Sequence, residues 1–159
     1  MKKFVAGFIL AAMFALPALL LAAGSLTETV EWIAGQNVKK VTYTWTGDVS
    51  AGTVPATVVA PLNGYLMRVV TRPHVNSTIQ PQDNYDLTLT EHLNGSLDLF
   101  NGKGMDRDTA NAEQFMPSHN NGSINIYPVY SATPLTLTHT NSSVALATGA
   151  IDLYVSVPK

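Results

Sequence analysis

The sequence has 159 residues, of which 46% are hydrophobic and 13% charged, and this length is typical of one domain. With 9 basic and 11 acidic residues, the formal charge of −2 provides no basic surface for a phosphate backbone, so we expect no nucleic-acid partner. The absence of cysteine excludes disulfides, thiolate zinc sites and cysteine nucleophiles. The 11 glycines and 9 prolines favour short strands and turns over a helical bundle.

The first 24 residues have the features of a secretory signal peptide. Two lysines form a basic tip, and residues 4–23 follow without a charge. We expect cleavage after Ala23 or Gly24, which leaves a mature domain over 25–159 in the periplasm or outside the cell. The alternative is an uncleaved membrane anchor, because about twenty apolar residues also span a bilayer. In that case the protein contacts the membrane through residues 4–23.

After this leader, short stretches alternate between apolar and polar residues, and this period of two predicts β-strands. In the stretch 38–46, for example, Val41, Tyr43 and Trp45 share one side, opposite threonines and a lysine. Strands are predicted at 38–46, 85–90, 135–140 and 151–157, with less regular candidates at 27–33, 65–71, 96–100 and 124–130. About eight strands with one apolar face each predict an all-β fold, an antiparallel β-sandwich of jelly-roll or immunoglobulin-like type.

One polar segment, residues 105–115, shows no alternation and contains no Asn-Gly turn. It predicts either a single helical turn or an ordered loop that lies as a strap across one end of the sandwich. Arg107 is expected to hold the strap by pairing with Asp86 or Asp98. Elsewhere, Asn-Gly pairs mark turns that need a positive φ, at positions 63–64, 94–95, 101–102 and 121–122.

Motifs for catalysis are missing from the sequence. No nucleophile elbow, phosphate loop or dinucleotide fingerprint is present, so we expect no enzyme, no catalytic residues and no bound cofactor. His74, His92, His119 and His139 lack the close spacing of paired zinc ligands. Because His139 continues the apolar side of its strand, it is predicted to be a half-buried strand residue.

Carboxylates provide the best case for a ligand. Calcium binds carboxylate oxygens, and the weak candidates near a glycine-rich loop are Asp83, Asp86, Asp98, Asp106 and Asp108, with Glu113 close by. Their spacing lacks the order of an EF-hand loop. Aspartates at strand ends also commonly hydrogen-bond to their own turn, which is the alternative interpretation.

Aromatic residues suggest carbohydrate as a second kind of ligand, because sugars stack on exposed rings. Trp45 and Tyr43 share the apolar phase of their strand, which predicts a core role. Tyr154 lies on the opposite phase from Leu153 and is predicted to be exposed. The other rings available for stacking are Trp32, Tyr65, Tyr127 and Tyr130.

The middle of the chain resembles a small family of phage and prophage proteins. The similarity is most specific in DNYDLTLT at 83–90 and DRDTANAEQ at 106–114, and it extends over most of the mature chain, from 27–30 to 151–155. Members are virion-associated β proteins, so the resemblance implies a β fold and a role in a particle. It implies no catalytic residues.

These observations predict a non-enzymatic structural protein, virion-associated or displayed on a surface, whose partners are further copies of itself or other virion or surface proteins. If residues 27–33 form an edge strand, that strand can pair with a second copy by strand addition. The alternative is a secreted module that binds carbohydrate or calcium. A third class is a small hydrolase that uses Asp83, Asp86 or Asp98.

Overall fold

The protein is an all-β structure with antiparallel sheets, as the alternating sequence pattern predicts. The structure is a computed structural model that describes residues 23–76, 78–92, 97–117, 119–120, 125–126 and 129–159. The predicted N-terminal hydrophobic helix lies in residues outside these ranges, apart from its last residue. The strands are β1 (Ser25–Trp32), β2 (Val38–Thr46), β3 (Val54–Val59), β4 (Gly64–Pro73), β5 (Asp86–Glu91), β6 (Glu113–Phe115), β7 (His119–Asn120), β8 (Asn125–Ile126), β9 (Val129–Ser131), β10 (Leu135–Thr140) and β11 (Thr148–Ser156).

The strands form a large sheet, a small sheet and a separate pair. The large sheet has the order β1-β2-β11-β4, and both β6 and β9 pair with the outer edge of β4. The small sheet has the order β3-β10-β5, while β7 pairs with β8. The C-terminal strand β11 therefore lies at the centre of the large sheet, between β2 and β4. The large sheet cannot form until this last strand of the chain is in place.

Both sheets contribute to one hydrophobic core, and Trp45 of β2 lies where they meet. Trp45 is 1% exposed, and its ring centroid lies 4.2 Å from that of His139 and 5.9 Å from that of Tyr85. Gly149 pairs with Trp45 across the large sheet, and a Cβ atom at Gly149 would lie 2.6 Å from the indole ring. The indole fills space that only a residue without a side chain leaves open.

Three details of the strand prediction were wrong. Residues 97–100 form turns with a single bridge from Asp98 to Thr90, and not the strand expected at 96–100. The strand β3 was missed because Pro55 interrupts its pattern, yet an edge strand tolerates a missing N–H. The candidate at 124–130 corresponds to two short strands, β8 and β9, which belong to different sheets.

The polar segment 105–115 closes one side of the structure. The backbone of Arg107 forms an isolated antiparallel β-bridge with Tyr85, just before β5. The last three residues of the segment form β6, which pairs with β4 of the large sheet. It is an ordered loop that ends in a strand, with no helical turn. The predicted pairing of Arg107 with Asp86 or Asp98 was wrong, because Arg107 forms an ion pair within the segment, 3.4 Å from Glu113.

His139 lies deeper in the core than the sequence predicted. The residue is 5% exposed, and neither ring nitrogen has a hydrogen-bond partner among the described residues. Burial lowers its pKa from 6.5 to about 4, although the negative charge of Asp86 acts in the opposite direction. The imidazole is therefore neutral and serves as an aromatic packing partner of Trp45.

This buried imidazole predicts a specific loss of stability in mild acid. Below pH 6.5 the unfolded chain protonates His139 while the folded chain does not, so the free energy of unfolding falls until about pH 4. The total loss corresponds to about 3 kcal/mol. Urea denaturation at several pH values measures it, and the His139→Phe variant should lack most of the decline. An equal decline in both proteins over this pH range would contradict the assignment.

Candidate functional site

The calcium candidates on the β5 side of the structure accept hydrogen bonds from the backbone. One oxygen of Asp98 accepts from the N–H groups of Leu89 at 3.2 Å and Phe100 at 3.0 Å, and the other accepts from Gly102 at 2.9 Å. Asp98 therefore holds the turn at residues 98–102 against β5. This is the local role that aspartates at strand ends commonly have.

The next two candidates are occupied in the same way. Asp86 is 5% exposed and accepts from the N–H of Asp106 at 2.9 Å and from the side chain of Asn141. Asp108 accepts from the side chain and backbone of Asn111 and from the N–H of Ala110, and these hydrogen bonds lower its pKa. Both carboxylates thus organise loops.

The remaining candidates do not complete a metal site. Asp106 adopts a positive φ of 52° in its turn, and the exposed Asp83 lines a polar cavity of about 400 Å³. No three histidine or acidic side chains converge as metal ligands in the part of the chain that is described. The cavity is lined by amides, hydroxyls and one carboxylate: Gln82, Asp83, Asn84, Asn141, Ser142 and Ser143.

A stability measurement separates a loop-holding role of Asp98 from calcium binding. Asp98→Ala leaves three backbone donors without their acceptor, and we expect the free energy of unfolding to fall by about 1–3 kcal/mol. Calcium should leave the melting temperature of the unmodified protein unchanged. Asp83→Ala, at an exposed position, is the matched control and should be nearly neutral. A rise in melting temperature with calcium that Asp98→Ala abolishes would contradict the loop-holding interpretation.

The histidines are distributed over different elements. His139 is in the core, and the side chain of His119 lies outside the described residues. His92 lies 3.1 Å from the hydroxyl of Thr136, and His74 accepts a hydrogen bond at Nδ1 from the N–H of Asn76 at 3.1 Å. The structure brings no two of the described histidines together.

The aromatic residues divide between the core and the surface. Tyr43 and Trp45 are each 1% exposed, so the core role predicted for them is confirmed. Tyr65 and Tyr130 are exposed, pair across β4 and β9, and have ring centroids 4.9 Å apart. Tyr154 is half-buried because the guanidinium of Arg68 lies 4.0 Å above its ring. Trp32 is exposed on β1, and Tyr127 lies outside the described residues.

The polar face of the large sheet carries a charged pair that the sequence analysis did not identify. Asp152 of β11 accepts from Nε and Nη2 of Arg72, both at 2.7 Å, and from the hydroxyl of Thr42 at 2.7 Å. Burial opposes ionisation of Asp152, but the hydrogen bonds from Arg72 and Thr42 offset it and lower its pKa. An acid in the apolar run Ile151-Asp152-Leu153 was the available signal.

The strand β1 lies at the free edge of the large sheet, as predicted for residues 27–33. Its register places Leu26 beside Trp45 and Val30 beside Val41. These β1 side chains therefore lie on the same face of the large sheet as the core residues of β2. Leu26 is half-buried and packs against the core, but Val30 and Trp32 are not covered by the small sheet, since they are 51% and 60% exposed. Apolar side chains on this strand are left in water.

The hydrogen-bond phase of β1 follows from the turn that joins it to β2. The N–H of Ile33 donates to the carbonyl of Val38 at 2.9 Å, which makes Ile33 and Val38 a bonded pair. Bonded pairs alternate along an antiparallel ladder, so the backbone groups of Glu28, Val30 and Trp32 point away from β2. These N–H and C=O groups form an open edge.

No family model, curated protein or solved structure matches this chain. The resemblance to virion-associated phage proteins therefore stays a prediction. Within the described ranges, none of the residues form a helix of the length and hydropathy needed to traverse a bilayer. The candidate site with the clearest geometry is thus the open edge of β1.

Proposed function

We propose that this chain is a non-enzymatic structural protein, virion-associated or displayed on a surface, which assembles through the edge of β1. The supporting observation is an eight-residue edge strand on which the core-phase side chains Val30 and Trp32 are exposed. Natural proteins usually shorten such edges or protect them with proline or charged side chains; β1 contains no proline or lysine, and its only charged residues are Glu28 and Glu31. Export by the N-terminal leader belongs to the same proposal.

The other edges of the two sheets are protected, in contrast to the edge of β1. In the large sheet, β4 is covered by two strands of three residues each, β6 and β9. In the small sheet, the edge of β5 is flanked by the loop around Asp98, and the edge strand β3 contains Pro55. We also propose that the two sheets form a β-sandwich of jelly-roll or immunoglobulin-like type, with β1 at its open margin.

We assign the partner as a second copy, related by a two-fold axis through Thr29. A register centred on Glu28 gives an equal overlap of the two β1 strands but places Glu28 opposite Glu28, whereas this register places Trp32 of one copy beside Leu26 of the other. Val30 then pairs with Glu28 of the second copy, and no two glutamates face each other. Glu31 already forms an ion pair with Lys40 of its own chain at 2.8 Å. The pairing thus adds apolar contacts without like-charge repulsion.

A proline at the outward-facing position tests strand addition. Val30→Pro removes a backbone donor from the open edge but none from the β1–β2 ladder, so we expect a folded protein that has lost self-association. Sedimentation over a concentration series measures the oligomer. Val30→Thr and Val58→Thr form a matched pair, because Val58 of β3 is as exposed as Val30, at 52%. Val30→Thr should weaken assembly, whereas Val58→Thr should have no effect on it. Oligomers that survive Val30→Pro would overturn the proposal.

The two-fold register can be tested by cross-linking, because the chain contains no cysteine. Thr29 would face Thr29 of the second copy at a non-bonded pair, where Cα atoms lie about 4.5 Å apart and a disulfide fits. Thr29→Cys should therefore form a dimer on a non-reducing gel. Val58→Cys is the control for random collision, and equal cross-linking of both variants would contradict the register.

A carbohydrate-binding role is the second candidate, and the exposed pair of Tyr65 and Tyr130 favours it. Two rings on neighbouring strands offer apolar faces on which a sugar can stack. A glycan array on the unmodified protein and on Tyr65→Ala tests this role. We expect any glycan signal to be lost in the Tyr65→Ala variant, which lacks the ring. A signal that persists in this variant would show that the sugar binds elsewhere.

A further inference from the structure

A shallow groove of about 280 Å³ lies on the face of the large sheet that points away from the core. Its floor is β11, where Ala150 pairs with Thr44 of β2 on one side and with Arg72 of β4 on the other. Because the side chain of Ala150 is only a methyl group, the longer side chains of Thr44 and Arg72 on either side of it form the two walls of the groove. His74 and Thr148 line one end of the groove.

Arg72 is oriented in this groove by a nearly buried acid. Its Nε and Nη2 atoms donate to Asp152, whose side chain is 7% exposed. This bidentate contact uses one edge of the guanidinium. The other edge carries the N–H groups of Nη1 and the second N–H of Nη2, which have no acceptor among the described residues. The side chain of Arg72 is 48% exposed, so solvent reaches it.

His74 supplies a further donor beside Arg72. Its Nδ1 atom accepts a hydrogen bond from the N–H of Asn76, so in the neutral ring the proton resides on Nε2. Thr44 and Thr148 also line the groove. The groove is therefore lined by residues that carry a guanidinium, an imidazole and two hydroxyl groups. The carboxylate that contacts Arg72, that of Asp152, also accepts a hydrogen bond from Thr42.

We infer that this groove binds an oxyanion, the carboxylate or phosphate group of a small ligand. The free edge of Arg72 forms a second fork for two oxygens of the ligand, and Nε2–H of His74 donates to one of them. Asp152 is a positioning residue, because it fixes the plane of the guanidinium without contacting the ligand. The site is on the polar face of the sheet and does not depend on assembly through β1.

Titration of the full-length protein followed by NMR tests this inference. The probes are glucuronate, inorganic phosphate and, as a neutral control, glucose. We expect saturable shifts of the backbone amides of Arg72, His74 and residues 148–150 with an oxyanion and none with glucose. Binding of glucuronate alone identifies a carboxylate ligand, and binding of phosphate alone identifies a phosphate ligand. No saturable shift with either anion would overturn the inference.

Two arginine variants separate a site from a general charge effect. Arg72→Gln removes the fork and should weaken binding about tenfold or more. Arg68→Gln removes the same charge from the same strand, but its guanidinium lies over Tyr154, outside the groove, and its effect should stay within about twofold. Equal losses in both variants would show general attraction and overturn the site.

A third variant covers the case in which Arg72→Gln does not fold. Ala150→Leu fills the floor from the solvent side and leaves the bond between Arg72 and Asp152 in place. We expect this variant to lose binding of the probes. Undiminished binding with Leu at position 150 would show that the oxyanion does not occupy the groove, and would overturn the inference.

Discussion

The contact of Trp45 with the small sheet is the interaction on which the rest of the structure depends. The indole lies against His139 and Tyr85, and Gly149 of the neighbouring strand leaves the space that it fills. This contact joins the two sheets at the centre of the core. It also explains why a histidine is buried without a hydrogen bond there: a neutral ring packs on the indole at a cost in solvation that the surrounding apolar contacts offset.

The edges of the sheets determine where this protein can interact. A sheet edge presents backbone groups that must be paired, covered or exposed to water. The polar segment 105–115 covers the side formed by β4 and β5. Arg107 and Glu113 form an ion pair within the segment, and Asp86 of β5 accepts a hydrogen bond from the N–H of Asp106. Among the residues that the structure describes, none covers the side formed by β1 in the same way. Asymmetry between the two sides, more than any single residue, directs the proposed assembly to one strand.

The polar face of the large sheet illustrates how an ion pair can prepare a surface. A carboxylate that is nearly buried needs compensation, and Arg72 and Thr42 provide it for Asp152. The same bonds restrict the guanidinium to one orientation. Most of its rotational freedom is therefore lost on folding, before any ligand arrives, which reduces the entropy that binding would cost. The aspartates near β5 show the opposite use, since backbone donors occupy their oxygens.

The sequence by itself determined the fold class and the phase of the main strands. Alternation is a local property, so Tyr43 and Trp45 could be placed in the core and β1 recognised as a strand without tertiary information. Local pattern also separated the polar loop at 105–115 from its surroundings. It failed for β3, where proline breaks the pattern, and for residues 97–100, whose apolar side chains occur in turns.

Only the tertiary structure decided which strands are neighbours and which side chains meet. Asp152 and Arg72 are 80 residues apart in the chain, and their contact exists because β11 inserts between β2 and β4. Whether Val30 and Trp32 are covered likewise depends on the width of the small sheet, which no alternation within β1 encodes. Period and composition act over a few residues, whereas edges, grooves and ion pairs arise from the order in which distant strands assemble.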